Sequence, residues 1–115
     1  MRHERQRTVL TLIDGIVAGE GNGPLAPQPK RCGVLVGGLD PWACDWVTTR
    51  MMGVDPAAIG FLADPARAGP HAVTRVRPED VEIVPAELAT LRFDFRLPMG
   101  WRGARAAGSP AAAVR

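Results

Sequence analysis

Residues 33–53 read GVLVGGLDPWACDWVTTRMMG and contain a strand followed directly by a helix. The strand is Gly33 to Gly37, which is apolar enough to be covered on both faces of a sheet. Asp40 can cap a helix N-terminus, and Pro41 is suited to the first helical position. Gly53 is a good C-terminal cap because glycine adopts the left-handed conformation needed there. The sequence therefore predicts one main helix, PWACDWVTTRMM, which ends at Gly53.

A second apolar run lies upstream of this strand. Thr8 to Ile13 (TVLTLI) is short and rich in β-branched residues, and it is followed by Asp14 and Gly15. Residues 18–31 (AGEGNGPLAPQPKR) contain three glycines and three prolines. Neither a helix nor a central strand is expected to run through that composition, so we predict a loop there.

The downstream half predicts shorter elements. Asp55-Pro56 and Asp64-Pro65 repeat the cap-plus-proline signal, and each is expected to open one or two helical turns. Residues 81–84 are a weak candidate strand. Residues 91–97 are a clearer one, because apolar and charged side chains alternate along them with a period of two.

These elements together predict an α/β fold: a small mixed sheet, one main helix and short helical turns. We expect the α/β domain to occupy residues 1–102 and residues 103–115 to form a flexible tail, because GARAAGSPAAAVR has no apolar periodicity. A chain of 115 residues is long enough for one domain core but not for two.

Composition limits the classes of partner. The net charge of +2 is small, and the basic residues are not interleaved with aromatic ones, so we do not expect nucleic acid as a partner. No run approaches the roughly 18 apolar residues of a membrane span, so no membrane partner is expected and the cytoplasm is the default location. Cys32 and Cys44 form no CxxC or cluster motif, and we interpret both as ordinary small apolar residues.

The glycine-rich segment is the candidate ligand site. Alternate glycines allow a ligand to approach the main chain closely and allow backbone N–H groups to turn towards an anion. A plain surface connection is the simpler interpretation. As a site, the segment would bind its ligand through Gly19, Glu20, Gly21, Asn22 and Gly23.

Carboxylates near this segment suggest a divalent metal such as magnesium. The candidate metal ligands are Asp14, Glu20, Asp40 and Asp45. If the two apolar strands are parallel, Asp14, Glu20 and Asp40 converge at one edge of the sheet. If the strands form a hairpin, the two aspartates sit at opposite ends. Helix capping is an equal alternative for Asp40, and a solvated helix face is the alternative for Asp45.

The strings DGIVAGEGNGP (14–24), GVLVGGLDPWACDWVTTRMMG (33–53) and FDFRLPMGWRG (93–103) resemble the C-terminal signature of the domain of unknown function 362 family. The resemblance implies that the chain is the C-terminal portion of a larger α/β fold. It also directs attention to the acidic and glycine residues already named. Trp42, Cys44 and Trp46 depart from the family pattern, so the helix is expected to pack differently or to meet a partner.

Some members of that family are fused to ferredoxin-type iron–sulfur modules. Because this chain has no cysteine motif for a cluster, we do not expect it to bind an iron–sulfur cluster. Two functions remain open, and no residue is assigned a catalytic role. The first is a metal- or anion-binding site of a redox-associated enzyme. The second is a non-catalytic fragment or binding module that completes a site with a second protein chain or in a homo-oligomer.

Overall fold

A β-hairpin forms one side of the fold in the computed structural model, which describes residues 7–67 and 69–107. Strand β1 is Thr11–Asn22 and strand β2 is Ala26–Gly38, and the two pair antiparallel. Pairing runs from Thr11 opposite Gly38 to Asn22 opposite Ala26. Within the described residues the sheet contains these two strands, so it is antiparallel and not mixed.

The predicted loop over residues 18–31 is therefore wrong, because most of it belongs to the two strands. Prolines are excluded from a central strand but tolerated on an edge, and both strands of a two-stranded sheet are edges. Pro27 lies opposite Gly21 and Pro29 lies opposite Gly19, so each bulky ring faces a residue without a side chain. Only residues 23–25 make the turn.

The hairpin contains one bulge. The register shifts between Gly15 and Val17, so that Ile16 alone faces Cys32 and Gly33 on β2. Gly33 has a φ of 68°, the left-handed conformation that a glycine supplies at this type of bulge. Half-buried residues alternate without interruption along β2, at Lys30, Cys32, Val34 and Val36, and define its half-buried face. On β1 the alternation breaks at the bulge, where Ile16 and Val17 are both exposed.

Helix α1 spans Pro41–Met51 and confirms the predicted helix. The side chain of Asp40 accepts a hydrogen bond of 2.9 Å from the Ala43 N–H, and Gly53 follows the helix with a φ of 80°. The helix packs against the half-buried face of the hairpin. Its buried residues are Trp42, Cys44, Val47 and Met51.

The remaining helical elements are short. Helix α2 is Gly60–Ala63, and 3-10 helices cover Pro56–Ala58, Gly69–His71, Pro78–Asp80, Ala86–Thr90 and Met99–Ala104. The helical turn expected after Asp55 is confirmed, and the Asp55 side chain accepts from the Ala57 N–H at 2.9 Å. The second one, after Asp64, is wrong: residues 65–67 form a turn, not a helix.

Residues 91–97, which we call the strap, do not join the sheet, and Asp94 in their middle has a left-handed φ of 44°. The last carbonyl groups of a helix lack partners within it. The strap supplies them, because Phe93 N–H donates to the Met51 carbonyl at 2.7 Å and Phe95 N–H donates to the Met52 carbonyl at 2.9 Å. The predicted alternation of buried and exposed side chains is confirmed at Phe93, Phe95, Arg96 and Leu97, but the predicted strand is wrong. The strand predicted at 81–84 is also absent, and these residues lie outside the sheet.

The strap completes the core. Val54, Phe95 and Leu97 form a buried cluster against which Ala18 and Cys32 of the hairpin pack. Contacts continue past residue 102, where the tail was expected to begin. Asp55 N–H donates to the Ala104 carbonyl at 2.8 Å, and Ala106 N–H donates to the Gly53 carbonyl at 2.9 Å. Residues 108–115 of the expected tail lie outside the described residues.

The closest approach between hairpin and helix is at Gly38, and it gives a test of the fold. A Cβ atom at Gly38 would lie 2.8 Å from the Cys44 Sγ, so Gly38→Ala must displace the helix or the strand. We expect a loss of about 1–3 kcal/mol in the free energy of unfolding, the usual cost of overpacking, measured by urea denaturation.

Gly37→Ala is the matched control, because its added Cβ would meet its nearest neighbours at the ordinary distance of 3.7 Å. This variant should keep wild-type stability, and adding Cys44→Ala to Gly38→Ala should recover part of the loss. Equal losses for the two glycine variants would contradict the packing of β2 on α1.

Candidate functional site

Glu20 lies at the turn end of the hairpin, where it links β1 to the strap. Its Oε2 atom accepts a hydrogen bond of 2.8 Å from the Arg96 backbone N–H and lies 3.5 Å from the Lys30 Nζ atom. The Arg96 carbonyl in turn accepts a hydrogen bond of 2.8 Å from the Gly21 N–H. Two adjacent residues of β1 are thus bonded reciprocally to one residue of the strap.

The surroundings favour the charged form of Glu20. The Arg96 N–H lowers the pKa of this carboxyl below its usual value, partial burial opposes that shift, and the positive charge of Lys30 adds to it. The Glu20 side chain is 19% exposed. The Lys30 ammonium also lies 5.5 Å from the centre of the Phe95 ring. Glu20 therefore acts as a charged clamp between hairpin and strap.

The other candidate metal ligands lie elsewhere. Asp14 is exposed on β1, where its side chain accepts from the Ile16 N–H at 3.0 Å. Asp40 caps helix α1, and its second carboxylate oxygen accepts from the Thr74 hydroxyl. Asp45 is exposed on the first turns of α1.

The structure does not bring the four carboxylates together. Asp14 and Glu20 are six residues apart on one extended strand, which is about 20 Å at ~3.3 Å per residue. Asp40 follows β2 at the end of the hairpin that lies away from Glu20. No group of three or more histidine, cysteine, aspartate or glutamate residues that could hold a metal ion exists in residues 7–67 and 69–107.

The alternative in which the two strands form a hairpin correctly predicted antiparallel pairing. It wrongly placed Asp14 and Asp40 at opposite ends of the hairpin. It placed Asp14 beyond the end of its strand, whereas β1 continues eight residues further, to Asn22. Asp14 therefore lies near the start of β1, towards the same open end of the hairpin as Asp40. The predicted convergence around Glu20 fails because β1 runs through the segment predicted to be a loop.

The candidate ligand-binding residues are mostly strand residues. Gly19, Glu20, Gly21 and Asn22 are the last four residues of β1, and Gly23 opens the turn. A Cβ atom at Gly19 would lie 3.0 Å from the Pro27 Cβ, so the absent side chain makes room for that ring. Binding of a ligand by these residues stays a prediction.

Neither cysteine is in a disulfide. Cys44 is buried beneath the hairpin, and Cys32 is half-buried on β2. Burial raises the pKa of both thiols, so each is held in the neutral, poorly nucleophilic form. This environment matches the interpretation of both residues as small apolar side chains.

Sequence reasoning missed two apolar clefts on the helix side of the hairpin. The larger, of about 590 Å³, lies between β2, helix α1 and residues 80–84. The smaller, of about 220 Å³, lies under the hairpin against Met51, Phe93 and Phe95. The weak strand pattern at Val81–Val84 was the one sequence signal for a wall of the larger cleft.

The opposite side of the hairpin carries exposed apolar side chains around the exposed Asp14, and it is uncovered within the described residues. We call it the outer face and define it by Leu12, Ile16, Val17 and Leu35, whose exposed fractions are 69%, 52%, 58% and 56%. Leu12 and Leu35 are diagonal neighbours across the strands, because Leu12 pairs with Gly37 and Asp14 pairs with Leu35. Scattered exposed apolar residues are normal, but a contiguous patch of them is typical of an interaction surface.

These features define a small α/β segment with an uncovered hairpin and no assembled catalytic group among its described residues. Residues 3–50 match the model of the domain of unknown function family DUF362. The resemblance seen in the sequence is thereby confirmed over residues 3–50.

A thylakoid-associated protein of Synechocystis sp. is 42% identical to the chain over 60 residues, which are 52% of this chain and 19% of that relative. The chain thus matches about a fifth of the relative's length. No solved structure matches the chain. Among the described helices, none has the length and apolar character needed to span a bilayer.

The Glu20 clamp predicts a pH-dependent stability. Because the folded-state pKa of Glu20 is lowered, its contribution is complete above the usual value of 4.5 and is lost as the pH falls through the lower folded-state pKa. We expect Glu20→Gln to reduce the free energy of unfolding at pH 7 by about 1 kcal/mol, and the difference from wild type to shrink below about pH 4.

Urea denaturation at a series of pH values measures this difference. Glu87→Gln is the control, because it removes a carboxylate that is exposed. A Glu20→Gln variant whose stability deficit stays constant from pH 7 down to pH 3 would contradict the clamp.

Proposed function

We propose that this DUF362 segment is a non-catalytic binding module whose outer face is covered by a second protein chain. The contiguous exposed apolar patch on the hairpin is the observation that carries the proposal. An isolated two-stranded hairpin is marginally stable, and this one packs on helix α1 through one face only. Covering the other face is the usual route by which such a sheet becomes part of a larger core.

The part of the longer relative that this chain does not match supplies a candidate polypeptide for this surface. The chain matches 19% of the Synechocystis protein, so about four fifths of that protein has no matched counterpart here. A polypeptide with an apolar surface of sheet or helix is the occupant that the flat outer face would accept. Trp42 and Trp46, singled out as possible partner contacts, do not carry the proposal, since Trp42 is buried and stacks on Trp46 with ring centroids 6.3 Å apart.

The test uses the outer-face double variant Leu12→Ser/Leu35→Ser. The probe is the Synechocystis relative from which the 60 matched residues have been removed, produced together with this chain. We expect a stoichiometric complex with the wild-type chain and at least about tenfold weaker binding by the variant, because burial of a leucine contributes about 1.5–3 kcal/mol. Analytical sedimentation measures both the stoichiometry of the complex and the strength of binding.

Leu25→Ser/Val73→Ser is the matched control, since both residues are exposed, at 97% and 67%, and neither belongs to the outer face. Unchanged complex formation by the outer-face variant would contradict the proposal. Self-association of the chain alone that the outer-face variant abolishes would identify a second copy, instead of a different chain, as the cover.

Anion binding at the hairpin turn is a second candidate, and one observation favours it. Lys30 and the Arg96 guanidinium both lie against the Glu20–Gly21 segment, where a Gly21 Cβ would be 3.2 Å from the Arg96 Nη2 atom. An anion would have to displace the Glu20 carboxylate. We therefore expect phosphate to shift the backbone amide resonances of residues 19–23 more strongly in Glu20→Gln than in wild type. Equal and small resonance shifts in the two proteins would contradict anion binding at the hairpin turn.

A divalent metal and a role in a redox-associated enzyme remain predictions of the sequence, without a cluster of ligands in the described residues to support them. A cytoplasmic location also remains a proposal. It is supported by Cys32 and Cys44, which are unpaired thiols, as is usual in a reducing compartment. Association with thylakoids is a property named for the relative.

A further inference from the structure

The edge of β2 that points away from β1 is unpaired within the described sheet. Half of the backbone N–H and C=O groups of an edge strand point outwards and can pair with another strand. Pro27 and Pro29 remove donors from the first part of this edge. The part from Gly33 to Gly38 contains no proline and retains its donors.

This part of the edge forms one wall of the larger cleft. Residues 33–40 line one side, residues 80–84 line the other, and Ala43, Cys44 and Val47 of helix α1 lie at its base. No backbone hydrogen bond joins the two walls across the described residues. The cleft is about 590 Å³ in volume.

The second wall leaves a 3-10 helix at Asp80 and becomes extended at Val81. Val81 has a φ of −76° and a ψ of 114°, and residues 81–83 are neither helix nor sheet. Ile83 and Val84 continue the apolar lining of the cleft. The β2 edge and this irregular segment thus flank an apolar space in which a peptide strand could pair with β2.

The lining of the cleft is also negatively charged. Its lining residues include the acids Asp40, Asp80 and Glu82 and no lysine or arginine. A segment with a basic residue at its end would complement them, whereas an acidic one would be repelled.

We propose that the β2 edge binds an extended peptide segment of a partner protein, apolar at alternate positions and flanked by lysine or arginine, as a third strand. Main-chain hydrogen bonds to the edge would supply affinity, and the apolar base would select alternate side chains. This site shares Leu35 with the outer face. The double variant Leu12→Ser/Ile16→Ser changes the outer face alone and therefore tests the two proposals separately.

The probe is the synthetic peptide acetyl-KVTVTVK-amide, titrated into the full chain to about 1 mM, where a millimolar complex is detected. Two peptides serve as controls: the same sequence with proline at its central position, which cannot complete the ladder, and EVTVTVE. We expect the first peptide to shift the amide resonances of residues 34–38 and to slow their hydrogen exchange at least about tenfold, with little effect from either control.

A matched pair of variants tests the charge. Glu82→Gln should weaken binding of the lysine peptide about two- to fivefold, the scale of an exposed ion pair. Glu79→Gln removes a charge from the same segment outside the cleft and should leave the dissociation constant unchanged.

Three outcomes would overturn the proposal. The first is that residues 34–38 do not respond to the lysine peptide. The second is that the proline peptide binds as tightly, which would show an apolar ligand cleft without strand addition. The third is that the acidic peptide binds better. Loss of peptide binding in Leu12→Ser/Ile16→Ser with an intact fold would place the peptide on the outer face and would also contradict binding at the β2 edge.

Discussion

Antiparallel pairing of β1 with β2 is the constraint on which the rest of the molecule depends. The two strands are joined by a turn of three residues, so each can pair with the other without any further strand. A sheet of two strands has two faces and two edges, and one helix can cover only one of these faces. The pairing therefore produces both the folded core beside α1 and the apolar surfaces left over.

The helix was predictable because its signals are local. Asp40, Pro41 and Gly53 act on backbone groups within one turn of the helix ends, and the structure uses all three as expected. The segment 18–31 was not predictable by the same reasoning. Proline is excluded from a central strand because it lacks an N–H donor, but it is tolerated on an edge, and edge position is a property of the whole sheet.

The strap shows a related limit. Alternation along residues 91–97 indicated correctly which side chains face the core, because an extended chain places successive side chains on opposite sides. It did not indicate what the backbone bonds to. The open carbonyls at the end of α1 accept from Phe93 and Phe95, so the strap adds to a helix end where a third strand was expected.

Glu20 illustrates how a candidate site residue becomes a structural one. A carboxylate between glycines is equally suited to a ligand and to a backbone N–H, and only the position of Arg96, 76 residues later, distinguishes them. The same bond holds the strap across the end of the hairpin. Glu20, Asp40 and Asp14 each accept from a different backbone N–H and Asp45 is exposed, so the four acids produce no common centre.

The outer face and the edge of β2 remain uncovered because one helix cannot pack on both faces of a hairpin or pair with its edge. The outer face lacks a layer of side chains, whereas the edge of β2 lacks a strand, and these are different physical deficits. The first is corrected by any apolar surface of suitable shape and is therefore weakly selective. The second requires backbone groups at fixed spacing and a charge opposite to Asp40, Asp80 and Glu82, so it can select among partners. Affinity would thus come mainly from the face and discrimination from the edge.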